Sequence, residues 1–261
     1  SPHIMKPEGS EDTRVPTAVM DYFFQGGDNN PTATMIGIKD SKSKAMHAFL
    51  VEKKGVVDFK IVKKIAQWID TLGYKSVVIK SDQEHSIVNV QEELRRECVT
   101  EMVPENSPKG ESKSNGLIEN AVKSLEGMIR TIKDHIETKM QEKLDKDSPM
   151  FAWIVESVGT MITRYRTGAD GKTPYQRLKG KKPSNTIVPI GEKVLYLPLK
   201  QTGKMNKLAP KFKYGIYVGV NPRTSEALVS NEHGTFRART VRRLSDDMKW
   251  DVEMMKNIVG M

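Results

Sequence analysis

Short apolar runs and helical patterns alternate along the first two thirds of the chain. Runs at 17–24, 33–39 and 45–51, separated by polar turns, predict an antiparallel meander of three strands. Residues 57–72 carry apolar side chains at helical intervals and are followed by Gly73, which indicates a helix that stops at a glycine. The apolar triplet Val77–Ile79 then predicts a buried strand. With a helix at 86–96 and a fifth strand at 99–103, the order predicts an α/β sheet flanked by helices.

Two longer helices follow this sheet. The first has an apolar stripe at helical spacing that consists of Ile118, Val122, Leu125, Ile129, Ile132 and Ile136. The second is predicted at 149–165, and its apolar residues serve core or subunit packing. Between the sheet and the first of these helices, residues 105–116 are rich in Gly, Pro, Ser and Lys, which is typical of a surface loop.

The last third of the chain changes pattern. Short strands are predicted at 193–197, 215–219, 227–230 and 235–244, with turn residues between them. This spacing favours a small β-barrel or sandwich. The final residues, 245–261, have the pattern of a helix around Trp250.

Three carboxylates stand out against these patterns. Asp82 follows the buried strand directly, at the sheet edge where ligand-binding groups collect in α/β proteins. Asp21 lies inside an apolar strand, where an unpaired acid is costly to bury. Glu119 lies in the first turns of the long helix. Carboxylates that converge repel one another, and a divalent cation such as Mg²⁺ is the usual remedy.

At these residues the chain resembles the retroviral and retrotransposon integrases, whose catalytic triad is two aspartates and a glutamate. The Ser-Asp pair after a buried strand, the entry Asn-Gly-Leu-Ile-Glu-Asn and the 36 residues between Asp82 and Glu119 carry the resemblance. So does the segment Thr-Pro-Tyr-Gln-Arg-Leu-Lys-Gly-Lys-Lys-Pro at 173–183. One departure is Gln83-Glu84, where many relatives have Asn-Gly, and it places an extra carboxylate near the site.

The resemblance implies a fold and an activity. The fold is a ribonuclease H-like core, a mixed five-stranded sheet with flanking helices, followed by a small all-β barrel of the Src-homology-3 kind. The activity is that of a polynucleotidyl transferase, which trims element DNA 3′ ends and joins them to target DNA. Asp21, Asp82 and Glu119 would hold two Mg²⁺ or Mn²⁺ ions, with Asp21 between them. A homo-oligomer in the nucleus is expected, because two DNA ends are joined.

Charge and resemblance together predict the DNA-binding residues. The net charge is +9, and residues 179–245 hold 14 Lys and Arg against 3 Asp and Glu, which favours contact with phosphates. The resemblance implies that the loop at 105–116 is a flap that contacts DNA ends. The candidates on this flap and the long helix are Lys113, Asn115, Lys123 and Arg130. The candidates in the barrel are Lys211, Lys213, Arg237, Arg239, Arg242 and Arg243.

Composition excludes several other classes. The single cysteine, Cys98, permits no internal disulfide and cannot supply the two-His, two-Cys zinc module that such integrases usually carry. No apolar run is long enough to span a membrane.

One histidine lies close to the acids. His85, three residues after Asp82, is interpreted as the start of a helix rather than as a ligand.

We divide the chain into five parts. Residues 1–14 are interpreted as a cloning remnant and linker, 15–178 as the catalytic core, 179–190 as a basic linker, 191–245 as the DNA-binding barrel and 246–261 as a tail. Two alternatives stay open. One is a transposase or metal-dependent nuclease of the same fold, and the other is a domesticated DNA-binding protein without catalysis.

Overall fold

The computed structural model describes residues 15–25, 33–56, 58–106, 112–184, 187–199 and 210–260, with the backbone alone for 106 and 112–115. The predicted turn at 26–31 and the terminal segment 1–14 lie outside these residues. In the first part of the chain the elements are β1 (Thr17–Gln25), β2 (Ala33–Asp40), β3 (Met46–Val51), α1 (Phe59–Thr71), β4 (Ser76–Ser81), α2 (His85–Glu97), β5 (Glu101–Asn106), α3 (Ser112–Met140), α4 (Pro149–Tyr165) and α5 (Pro174–Lys179). In the second part they are β6 (Lys193–Pro198), β7 (Lys213–Val220), β8 (Ala227–Asn231), β9 (Gly234–Arg243) and α6 (Val252–Lys256).

The five strands of the first part form one mixed sheet in the order β3-β2-β1-β4-β5. β1, β2 and β3 are antiparallel neighbours, whereas β4 pairs in parallel with both β1 and β5. The parallel pairs are joined through helices, as crossover connections require. The predicted ribonuclease H-like core is therefore confirmed.

Several predicted boundaries are wrong. The fifth strand, expected at 99–103, occupies Glu101–Asn106, and the tail helix expected around Trp250 begins only at Val252. The loop expected over 105–116 is shorter, because β5 continues to Asn106 and α3 begins at Ser112. The Gly and Pro content of this stretch favoured a loop. α3 nevertheless includes Gly116, although glycine has a weak helix propensity, and the following turn packs against Val19 of β1 through Ile118 and Ala121.

Two helices cover each face of the sheet. α1 and α2 pack on one face, together with Ala18, Met20 and Tyr22 of β1. α3 and α4 pack on the other face with Phe23, and α4 is buried on nearly all sides. Ser148 caps α4 by accepting a hydrogen bond from the N–H of Phe151, and Pro149 occupies its first turn.

Strands β6 to β9 form the closed barrel that the sequence predicted. Each strand pairs antiparallel with its neighbour, and β9 closes the barrel on β6. Closure leaves no unpaired strand edge, and the interior is filled by Val194, Tyr196, Val229 and Ala238.

The barrel and the sheet are joined by a shared apolar cluster. Ile190, Ile216 and Val218 from the barrel region pack with α3 and α4, so the end of the predicted linker is part of the core. Met255 and Ile258 of the tail enter the same cluster. No helix in the described ranges has the length and apolarity needed to cross a membrane.

Candidate active site

Asp21 and Asp82 lie near each other where β1 and β4 separate. These strands are parallel and pair from Thr17 with Val78 to Val19 with Lys80. Asp21 and Asp82 each lie two residues beyond the last pair, and the charge of Asp82 acts on Asp21. Side chains alternate between the faces of a strand, so Asp21 shares a face with Val19 and Phe23, both of which pack toward α3. The structure therefore brings two of the three predicted acids together.

The electrostatic surroundings of Asp21 reflect this proximity. Burial raises its pKa to about 6, although the N–H of Tyr22, which donates a hydrogen bond of 2.8 Å to Asp21 Oδ1, acts in the opposite direction. The negative charges of Asp82 and Glu84 raise the pKa further. A half-buried carboxylate that faces two others has an unfavourable charged form, and a bound cation would stabilise it.

Glu84 is the extra carboxylate that the sequence placed near the site. Lys54 Nζ lies 2.8 Å from Glu84 Oε1 and 2.7 Å from Oε2. Burial acts to raise the pKa of Glu84, but the hydrogen bonds from Lys54 and Ser86 outweigh it and lower the pKa. Lys54 thus neutralises one of the two negative charges that face Asp21.

Glu119 is exposed on α3, close to the face of the sheet that carries Asp21. Its helical neighbours Ile118 and Ala121 pack against Val19, two residues before Asp21 on the same face. Within the described part of the chain, however, no three His, Cys, Asp or Glu side chains are arranged to hold a metal ion. The structure therefore does not assemble Asp21, Asp82 and Glu119 into a metal centre.

The predicted DNA-binding residues of α3 divide into two groups. Lys123 and Arg130 are exposed on the helix that carries Glu119. The side chains of Lys113 and Asn115 lie outside the described residues. His85 begins α2, as the sequence predicted, and is exposed.

The barrel cations have different surroundings. Arg237 and Arg239 flank Glu226 at 3.7 Å and 3.8 Å and are 57% and 81% exposed. The guanidinium of Arg242 lies 4.9 Å from the centroid of the Phe212 ring. Lys213, the first residue of β7, and Lys211, two residues before it, are also exposed.

Arg243 is bound within the protein. Its Nε and a terminal nitrogen lie 2.7 Å and 2.8 Å from the two carboxylate oxygens of Glu192, which is 0% exposed. A bidentate pair with a buried acid is a structural contact. The charge of Arg243, which was predicted to bind DNA, is therefore already neutralised within the protein.

Comparison with known proteins identifies structures but no sequence relative. No protein-family model and no curated protein matches the chain. The solved structures that it resembles are retroviral integrases. A chain of the simian T-cell lymphotropic virus intasome, solved with the PP2A regulatory subunit B56 gamma, has 12% identity and a TM-score of 0.46 over 94% of this chain and 85% of that one.

Two further matches are isolated catalytic core domains. The core of BIV integrase has 16% identity and a TM-score of 0.43, over 62% of this chain and 92% of that one. The core of HTLV-2 integrase, solved in complex with magnesium, has 13% identity and a TM-score of 0.44, over 62% and 95%. At such identities the likeness concerns the fold alone, and the fold class rests on the strand order of this chain.

Sequence reasoning missed Lys54 and Gly55, which contact Tyr22, the residue after Asp21. Lys54 lies 5.2 Å from the ring centroid of Tyr22, whose hydroxyl oxygen accepts a hydrogen bond of 2.7 Å from the N–H of Gly55. Their signal was the Lys-Lys-Gly that follows the third predicted strand. Because β1, β3 and β4 all end at the same edge of the sheet, the residues that follow β3 come close to the acids.

Proposed function

We propose that the protein is a metal-dependent polynucleotidyl transferase of the integrase kind, which trims element DNA 3′ ends and joins them to target DNA. The observation that carries this proposal is the proximity of Asp21 and Asp82, just beyond the last paired residues of β1 and β4. Mutual repulsion and burial make the charged form of Asp21 unfavourable without a cation. A fold of this class also supports other chemistries, so the assignment depends on these residues.

The acids fit a divalent cation as a pair. Mg²⁺ prefers oxygen ligands and is usually bound by one or two carboxylates together with waters and phosphate oxygens, so Asp21 and Asp82 could hold one ion. Glu119, on the helix that packs over this face, is the candidate ligand of a second ion. Such ions would activate the attacking water or 3′-hydroxyl and stabilise the charge on the leaving oxygen.

The remaining parts of the chain would position the DNA. Exposed cations of α3 and the barrel, Lys123, Arg130, Lys211, Lys213, Arg237, Arg239 and Arg242, would bind phosphates and set the register of the duplex. Catalysis of this kind depends mainly on alignment of nucleophile, phosphorus and leaving group. We also propose a homo-oligomer that acts in the nucleus, since two DNA ends are joined to one target.

The test is a strand-transfer assay with short duplex ends and either Mg²⁺ or Mn²⁺. We expect joined products from the natural chain and a loss of at least about a hundredfold for Asp82→Asn and Glu119→Gln, because each removes a charged ligand. The same variants should bind duplex DNA as tightly as the natural chain. Asp134→Asn, an exposed acid elsewhere on α3, is the matched control.

A metal titration gives a readout without turnover. We expect Mg²⁺ or Mn²⁺ to raise the melting temperature of the natural chain, because a ligand that binds only the folded state stabilises it. The effect should disappear in Asp21→Asn and Asp82→Asn and persist in Asp134→Asn. An unchanged melting temperature at millimolar metal would contradict a metal site at these acids.

One observation favours a second candidate, a DNA-binding protein of the same fold without catalysis. Among the described residues, no three acids or histidines form a group that could hold a metal ion. A DNA-binding protein without catalysis would need no such group. DNA binding without cleavage or joining in the assay above would support this candidate. Cleavage without joining would instead indicate a metal-dependent nuclease.

A further inference from the structure

A groove of about 390 Å³ runs along α3 next to Glu119, and none of the predicted sites includes it. Asn120 and Ser124 of α3 form one wall, and Lys39, Lys44 and Arg166 line the groove from other elements. Met46 and Ile162 supply apolar surface. We call this feature the basic groove.

The cations of the basic groove outnumber its acids. Its lining also contains Arg177 and Asp170, which pair with each other, with 3.1 Å between Arg177 Nε and Asp170 Oδ2. Asp170 is the single acid among the described residues that line the groove. Lys39, Lys44 and Arg166 therefore give the groove an uncompensated positive charge.

Lys39 is the most confined of these cations. It is 8% exposed, and within the described chain no carboxylate lies within ion-pair distance of its ammonium. Burial lowers the pKa of Lys39, and the neighbouring charges of Lys44 and Arg166 lower it further. A cation held among other cations costs stability, and an anion in the groove would remove that cost.

Several hydrogen bonds hold the turn that carries Lys44. Asp40, which is 0% exposed, accepts hydrogen bonds at 2.7 Å from the N–H of Ser43 and from the hydroxyl of Tyr74. Arg177 donates a hydrogen bond of 2.9 Å to the carbonyl of Ser43. Lys44 itself has a φ of 69°, in the left-handed region that a lysine seldom adopts. Such strain persists where surrounding contacts fix the backbone, as it does at functional positions.

The position of Asp40 explains why it does not neutralise Lys39. Successive side chains of a strand point to opposite faces, so Asp40 lies on the α1 face of the sheet and Lys39 on the α3 face. Lys39 is opposite Val19 in the register of β1 and β2. Its Cα is therefore one strand spacing and two residues from that of Asp21, or roughly 8 Å.

We propose that the basic groove binds the phosphodiester backbone of a DNA strand that runs along α3 past Glu119. Lys39, Lys44 and Arg166 line an open groove rather than a closed pocket, and an open groove suits an extended phosphate backbone better than a single small anion. Arg166 already donates a hydrogen bond of 3.0 Å to Ser124 on α3, which ties the groove to the helix of the active site. This inference rests on the proposed function for the presence of DNA, but it does not require catalysis.

The test measures the salt dependence of DNA binding by fluorescence anisotropy. Loss of one phosphate contact lowers the slope of log affinity against log salt by about 0.9. We expect this loss for Lys44→Gln and for Arg166→Gln, and about twice the loss for the double variant. Lys60→Gln, an exposed lysine on the opposite face of the sheet, should keep the slope of the natural chain.

Lys39→Met separates binding from folding. Met keeps the apolar stem of the lysine and removes its charge, so we expect weaker DNA binding together with an equal or higher melting temperature. A lower melting temperature with unchanged binding would overturn the proposal, because Lys39 would then be a structural residue.

Two DNA substrates identify which duplex occupies the groove. A slope lost on both a short duplex end and a covalently closed circle indicates target DNA, and a slope lost on the end alone indicates element DNA. Both results support the proposal. Unchanged slopes in all groove variants would overturn it, even if joining activity is present. Conversely, if the groove variants weaken DNA binding but the natural chain joins no DNA, the groove proposal is supported and the proposed function is contradicted.

Discussion

At the residue scale, the unusual acid is Asp21, and it gives folding stability a defined pH dependence. Its pKa is about 6 in the folded protein against an ordinary value of 3.8. Between about pH 4 and pH 6 the folded state therefore binds more protons than the unfolded state, and stability falls as the pH rises through this window. The cost at pH 7 is at most about 3 kcal/mol.

Asp21→Asn should remove this cost. We expect the free energy of unfolding at pH 7 to rise by about 1–3 kcal/mol, with the gain growing between pH 4 and pH 6 and constant above. Urea denaturation at several pH values, in the absence of divalent cations, measures the effect. Asp134→Asn should leave the curve of the natural chain unchanged, and a loss of stability in Asp21→Asn would contradict the assigned surroundings.

The barrel arginines allow a second test at this scale. Arg243→Gln leaves the buried carboxylate of Glu192 without its partner, so we expect a loss of about 2–3 kcal/mol in unfolding free energy. Arg239→Gln, at an 81% exposed position, should change stability by less than about 0.5 kcal/mol and weaken DNA binding instead. Equal stability of the two variants in urea would show that the Glu192 pair contributes little.

The sequence predicted some of these residues and not others, for identifiable reasons. Asp21 and Asp82 could be paired from sequence because strand ends collect at one edge of a parallel sheet. The commitment of Arg243 to Glu192 could not, since 51 residues separate them and only barrel closure brings β9 beside β6. Lys39 was hidden for a similar reason, because its isolation from acids depends on which face of the sheet it occupies.

At the element scale, α4 depends on close approach to the sheet. A Cβ added at Gly159 would lie 2.6 Å from the carbonyl oxygen of Met46, a backbone atom that cannot yield easily. We expect Gly159→Ala to lower the unfolding free energy by more than about 2 kcal/mol. Gly127→Ala on α3 is the control, because nothing lies within 4 Å of its Cβ position and alanine favours a helix by about 1 kcal/mol. Thermal denaturation of both variants should therefore give shifts of opposite sign.

Helix boundaries show where local signals suffice. The bounds of α4, Pro149–Tyr165, were predicted correctly because a serine cap and a proline in the first turn mark its start. The start of α3 was not predicted, since its residues before Leu117 carry no apolar stripe and include Gly116. A helix that begins with a serine cap and a proline is visible in sequence, and one whose first turn lacks an apolar stripe is not.

At the scale of the whole molecule, the tail joins barrel and core. Trp153 of α4 donates a hydrogen bond of 3.0 Å from its indole nitrogen to the carbonyl of Val259, whose N–H lies 3.2 Å from the carbonyl oxygen of Asn231 in the barrel. The Trp250 ring lies 5.1 Å from that of His135 on α3. The sequence predicted a helical tail but not its partners, because amphipathic spacing does not identify the surface that a helix covers.

Because the apolar cluster is shared, barrel and core should unfold together. Met255, which is 1% exposed, packs in the cluster that also contains Ile216 and Val218 of β7. We expect Met255→Ala to cost about 2–4 kcal/mol and to lower the amide-exchange protection of β2 and β8 by the same factor, since both belong to one cooperative unit. Val259→Ala, at a more exposed tail position, is the control and should leave both strands protected. If only the barrel strand β8 lost protection, the two parts would be separately stable, and the tail would hold together two independent folding units.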